Sequence, residues 1–150
     1  MDGSGPDGYV FVVPEVVVAA DARWVLDEVS AVLSGPDDVV HEVHAGALVL
    51  PAVRQYHPDL VILDLQIGNM GAIATCMDLR LEESGGRLDH VPVLILLDRR
   101  ADVFLSRRAD AEGWLVKPLD PVRLRKAVRT LLAGGRYEDP TYRPPTVAGV

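Results

Sequence analysis

Short apolar runs alternate with stretches whose apolar residues recur every three or four positions, and the alternation repeats five times along the chain. The runs are Glu15 to Ala20, Val39 to Val43, Pro58 to Leu65, Pro92 to Leu97 and Trp114 to Val116. Each is rich in Val, Leu or Ile and bounded by turn formers, so each predicts a strand; unbroken apolar runs such as those around Val61 and Ile95 predict strands buried on both faces. Between them, Val25, Val29, Val32 and Leu33 predict an amphipathic helix from Ala22 to about Ser34, closed by Gly35-Pro36. Ala45 to Tyr56 predicts a second helix, which Pro51 kinks or whose start it delays. Ala72 to Glu83 predicts a third, with Ile73, Cys76, Met77 and Leu79 to Leu81 as its apolar side and Ser84-Gly85-Gly86 as its end. A short helix over Asp102 to Ala109 turns Val103, Phe104 and Leu105 inward. The last begins at Asp120-Pro121, the acid as N-cap and the proline at the first helical position. Leu124, Val128, Leu131 and Leu132 form its inner stripe before Gly134-Gly135 stops it.

Strands alternating with helices imply an α/β domain: a doubly wound parallel sheet of five strands, with helices on both faces and right-handed crossovers. It is expected to span 15–134. Residues 1–14 are expected to form a flexible arm, its first eight positions turn formers with nothing to bury; Tyr9 to Val13 is β-favouring before Pro14 breaks the run and reads as an edge strand or an extended arm. Residues 135–150, with three prolines, are expected to be a disordered tail.

At 150 residues the chain is long enough for one domain with a substantial core. A single cysteine, Cys76, excludes an internal disulfide framework and fits a reducing compartment. No apolar run approaches the roughly 20 residues of a membrane helix, and a cytoplasmic location is expected. The net charge of −7 argues against general nucleic-acid binding, but it is unevenly spread. Between Arg99 and Arg136 ten Lys/Arg face four Asp/Glu, a segment of +6, which leaves −13 on the remainder. The C-terminal third is therefore either a solvated basic surface or a docking site.

In a parallel sheet the carboxyl ends of all strands lie along one edge, where open α/β sheets place their ligands. Asp21 ends the first strand, Asp64 the third, Leu97 and Asp98 the fourth and Lys117 the fifth. Two carboxylates brought together need a cation or a shared proton. Mg²⁺ favours such an oxygen site, and a lysine opposite would neutralise an added phosphoryl group. The chemistry suggested is phosphoryl transfer to Asp64 as nucleophile. Asp21 as a helix N-cap, Lys117 as a structural ion pair with Asp64 and Trp114 as a packing residue are the plainer alternatives. His41 and His44 fall on opposite faces of their strand, which argues against a shared metal. Cys76 reads as a small core residue.

Four pieces in order, Val16 to Asp21, Pro58 to Leu65, Pro92 to Leu96 and Trp114 to Leu119, resemble the receiver domain of bacterial response regulators, the CheY-like group of flavodoxin-like three-layer folds. The resemblance runs from about Glu15 to Leu132. It implies that Asp64 is the phospho-acceptor and that Asp21, Asp64 and the main-chain carbonyl of Gln66 hold Mg²⁺. It further implies that Lys117 contacts the phosphoryl group, that Lys117–Pro118 is cis, and that Trp114 stands at the aromatic switch position. No enzymatic activity is expected beyond self-phosphorylation and autodephosphorylation at Asp64.

The departures are as informative. The acidic pair of the family is here Ala20-Asp21, one carboxylate short, so Mg²⁺ binding should be weak. The switch Ser/Thr is Leu97, which cannot donate a hydrogen bond. Ile67-Gly68 replaces a Met-Pro, implying a looser loop. Asp98 stands where a small residue is usual, and either replaces the missing metal ligand or opposes phosphorylation by its charge.

The reading is a stand-alone, atypical receiver in two-component phosphorelay signalling, phosphorylated by a histidine kinase or phosphotransfer protein and acting through protein contacts. Homodimerisation or docking of an acidic partner is expected on the face of the fourth and fifth helices, through Arg107, Arg108, Arg123, Arg125 and Arg129. Neither a membrane nor direct nucleic-acid binding is expected. The alternatives are a pseudo-receiver that acts without phosphate, and a flavodoxin-like enzyme or nucleotide binder, for which the phosphate loop after the first strand is absent.

Overall fold

The structure is a computed structural model that describes residues 14–33, 35 and 39–142. Its elements are β1 (Glu15–Ala19), α1 (Arg23–Leu33), β2 (Val39–Val43), α2 (Val49–Tyr56), β3 (Leu60–Asp64), α3 (Ala72–Ser84), β4 (Val93–Leu97), α4 (Val103–Arg108), β5 (Gly113–Val116), α5 (Pro121–Leu132) and β6 (Tyr137–Glu138), with three single-turn 3₁₀ segments. The strands form one all-parallel sheet in the order β2-β1-β3-β4-β5-β6. The fold class is as expected: a doubly wound α/β sheet, here with a sixth strand.

Strand alternation divides the core into two layers. Val17, Ala19, Val61, Leu63, Val93, Ile95, Leu97, Trp114 and Val116 meet Val49, Val53, Cys76, Leu79 and Val103 from α2, α3 and α4. Val16, Val18, Leu60, Ile62, Leu94, Leu96 and Leu115 meet Val25, Leu26, Val29, Leu124, Val128 and Leu131 from α1 and α5. Successive side chains of a strand point to opposite faces, so β3 and β4 are apolar on both faces up to Asp64, the one charged position, and all five residues of each are buried. Each large aliphatic side chain buried this way contributes about 1.5–3 kcal/mol.

The helix ends follow local chemistry. Asp120 caps α5, its Oδ1 accepting from Val122 N at 2.8 Å, with Pro121 behind it. That backbone hydrogen bond holds the Asp120 carboxyl below the ordinary carboxylate range. Pro51 delays α2 rather than kinking it: residues 46–48 form a 3₁₀ turn, and the proline sits in the first α turn, where its missing N–H has no intrahelical acceptor to lose.

Three expectations need correction. The chain does not leave the fold at residue 134, because Tyr137–Glu138 pairs with Gly113 and Trp114, and Asp139 is fully buried. Residues 143–150 of the expected tail, and 1–13 of the expected arm, lie outside the described residues. In α3 the inner face is Ala72, Thr75, Cys76 and Leu79, while Met77 and Leu81 are 51% and 63% exposed. Apolar residues surround that helix, so periodicity could not select a face. In α4 only Val103 and Ser106 are buried, and Phe104 is 65% exposed; six residues are too few for the pattern to fix a phase.

Candidate functional site

The sheet's parallel register carries Asp21, Asp64, Asp98 and Lys117 to one edge, as their places at strand ends imply. Asp64 is the last residue of β3, paired in register with Leu96, and is 2% exposed. Lys117 follows β5 directly, its N–H bonded to the Leu97 carbonyl at 2.8 Å, and Lys117–Pro118 is cis. Its Nζ donates to Asp64 Oδ1 and, at 2.9 Å, to Asp98 Oδ1. The second Asp98 oxygen accepts from Gln66 Nε2 at 2.7 Å. The ammonium also lies over the Trp24 ring, 5.6 Å from its centroid, near enough for a cation–π attraction.

Burial disfavours the charged form of both Lys117 and Asp98, but their hydrogen bonds outweigh it. The Asp64 and Asp98 carboxylates raise the Lys117 pKa above the ordinary lysine value. Lys117 and Gln66 lower that of Asp98 below the ordinary carboxylate value. Both shifts favour the charged forms, so the Lys117–Asp98 contact is an ion pair.

Asp21 does not join Lys117. Its Oδ2 accepts from Gly68 N at 2.6 Å, tying the end of β1 to the β3–α3 loop. A Cβ at Gly68 would lie 2.8 Å from that oxygen, so glycine serves close approach here. The expected looser loop is instead fastened: Gly46 N donates to the Gly68 carbonyl at 3.0 Å and Ala47 N to the Asn69 carbonyl at 2.8 Å. Gly46 is equally constrained, since a Cβ there would fall 1.7 Å from the Met70 carbonyl oxygen.

Leu97 and Trp114 are packed in the same core layer. Trp114 Nε1 is the buried side-chain polar atom left without a partner among the described residues. Cys76 is buried, and burial pushes its thiol up to about 12, which leaves it without thiolate character near neutrality. His41 stacks on Tyr56 at 3.6 Å and meets Glu15, away from His44. Of the five arginines singled out, Arg107 pairs with Glu138, and Arg123 with Asp139 and Asp120. Arg125 and Arg129 are exposed on α5 and border the groove it forms with α1.

Sequence reasoning did not single out Trp24 or the side chain of Gln66. Trp24 is the second residue of α1, three positions after Asp21, and Gln66 lies two positions past Asp64, so proximity to a strand-end acid was the available signal.

The family model of the response regulator receiver domain matches residues 16–129. The chain belongs to the response regulator receiver family. The receiver is 31% identical over 126 residues to the DNA-binding response regulator MtrA of Mycolicibacterium smegmatis, an alignment covering 83% of this chain and 52% of that protein. It thus spans about half the length of the curated relatives it matches. Among solved structures it resembles the chemotaxis response regulator CheY4 of Vibrio cholerae, with TM-score 0.69 at 22% identity over 79% of this chain and 98% of that one. It also resembles a LuxR-family two-component response regulator from Aurantimonas, with TM-score 0.75 at 22% identity over 87% and 93%. The receiver is thus a module of two-component signal transduction. No helix among the described residues is long and apolar enough to cross a membrane.

Receiver domains generally use Mg²⁺ for phosphorylation. Among the described residues no cluster of three or more His, Cys, Asp or Glu stands ready to hold a metal. Asp21 and Asp64 each have one carboxylate oxygen outside these hydrogen bonds. With the Gln66 carbonyl they meet the minimum for Mg²⁺, which takes one or two carboxylates and completes its shell with water and phosphate oxygens.

Proposed function

We propose that this receiver accepts a phosphoryl group on Asp64 and signals through contact with a partner protein. The observation that carries the reading is the junction of Asp64, closing β3, with the Lys117 ammonium that follows β5. An Asp64 oxygen attacks the donor's phosphorus, the O–P bond forms as the donor's N–P or O–P bond breaks, and the leaving group departs with the electron pair and takes a proton. Lys117 balances the charge added at the acceptor. Asp21, Asp64 and the Gln66 carbonyl would hold Mg²⁺, which when bound offsets phosphoryl charge. The donor is a phosphorylated histidine of a kinase or phosphotransfer protein, the class that supplies this family.

Incubation with Mg²⁺ and phosphoramidate is expected to add one phosphate to the intact mass of the wild type and none to Asp64→Asn. A folded wild type that gains nothing would overturn the reading. A second reading, a receiver that acts without phosphate, is favoured by Leu97, which offers no hydroxyl where the resemblance implies one.

The output surface we infer is basic and lies on α5. Since Arg107 and Arg123 are engaged internally, Arg125 and Arg129 are the residues of that set on α5 left to meet an acidic partner or a second copy. Arg125→Glu with Arg129→Glu is expected to weaken association in sedimentation and pull-down. Unchanged profiles would remove this surface from consideration.

A further inference from the structure

We propose that Asp98 is a built-in anion occupying the phosphoryl side of Lys117, so that an incoming phosphoryl group must displace it. This rests on the reading of Asp64 as acceptor. Leu97 is turned into the core beside Trp114, and the alternation of the chain leaves the next residue, Asp98, to face the site. Both Asp98 oxygens are engaged from different loops: Oδ1 by Lys117 Nζ at 2.9 Å, Oδ2 by Gln66 Nε2 at 2.7 Å. Two of the three N–H bonds of Nζ are committed to carboxylates, and the ammonium lies over the Trp24 ring, 5.6 Å from its centroid.

A phosphoryl group on Asp64 would need the same ammonium. The triad of Asp64, Asp98 and Lys117 already carries a net negative charge, and an acyl phosphate would add another beside a fixed carboxylate. Like charges at this range repel strongly even at the effective dielectric of a protein surface. Asp98 therefore has to leave Lys117, and release Gln66, before phosphorylation can be completed. It is a positioning residue: it touches Lys117 and not Asp64, and it sets how available the lysine is. The same contacts let it stand in for the phosphoryl group, holding Lys117 and the β3–α3 and β4–α4 loops together when no phosphate is present.

The test compares wild type, Asp98→Ala, Asp98→Asn and Asp64→Asn. Asp98→Asn keeps the shape of the side chain, should the alanine variant fail to fold. One measurement is the initial rate of mass gain with phosphoramidate and Mg²⁺. The other is the affinity for inorganic phosphate, read from Trp24 fluorescence in a Trp114→Phe background that leaves Trp24 the single tryptophan. Removing the charge is expected to raise both the rate and the phosphate affinity about tenfold or more. Equal rates and affinities in wild type and Asp98 variants would overturn the proposal. So would slower labelling of the variants, which would make Asp98 a helper of the reaction, as a metal ligand would be. If no protein gains mass but phosphate affinity still rises in the variants, the acceptor reading of Asp64 fails and the role of Asp98 stands.

Discussion

Lys117→Met is expected to lower the unfolding free energy by about 3–5 kcal/mol, the usual cost of removing one partner of a buried ion pair. Asp64 is 2% exposed and cannot recover by hydration what it loses, whereas Asp98, with 29% of its side chain exposed, can turn to water. The sign of the pH dependence distinguishes charge from packing. An unpaired buried carboxylate has a folded pKa above its unfolded value of about 3.9, so the folded variant binds more protons than the unfolded chain. Its deficit against wild type should then shrink as pH falls from about 8 to about 5. Urea midpoints at the two pH values measure this. Adding Asp64→Asn to Lys117→Met should recover much of the loss. A deficit indifferent to pH, with no recovery in the double variant, would assign the loss to the packing of the lysine stem.

Asp139→Ala is expected to cost about 2–4 kcal/mol. The carboxylate is fully buried and joins three parts of the chain: Val116 N at 3.1 Å, Arg123 at 3.0 Å and Thr141 N at 3.0 Å. Among the described residues, its removal leaves the Val116 N–H without that acceptor and the Arg123 guanidinium with Asp120 and Thr141. Asp139→Asn, which keeps a carbonyl acceptor, should cost less. Thermal unfolding gives the size of the effect, and limited proteolysis gives its place, because loss of the clasp should expose residues 135–142 to cleavage. An unchanged unfolding midpoint would show that this segment adds nothing to the stability of the sheet.

What the sequence discloses depends on how strongly a pattern is physically forced. β3 and β4 must be apolar on both faces, and that doubled requirement makes them legible, together with Asp64 at the end of one. Asp120-Pro121 is legible because capping is a local hydrogen bond. β6 is not legible, since two residues of strand between Gly135 and Pro140 leave no period to detect, and Asp139 is held chiefly by Val116 and Arg123, 23 and 16 positions away. The faces of α3 and α4 fail for the opposite reason, an excess of apolar residues that offers several phases equally. At the site, Asp64, Lys117 and Asp98 could be placed on one edge from topology alone. The side-chain bridge from Gln66 and the ring of Trp24 depend on loop conformation and rotamer, which strand patterns do not encode.

The sixth strand also governs what can happen at the sheet's margin. A parallel sheet ending at β5 would show a row of unsatisfied backbone groups to any extended segment that came by, the usual template for unwanted strand addition. Here Gly113 and Trp114 are paired to Tyr137 and Glu138, and the next free donor, Val116 N, is taken by a side chain. The margin now ends in a strand of only two residues, the short kind of edge that offers little template for strand addition.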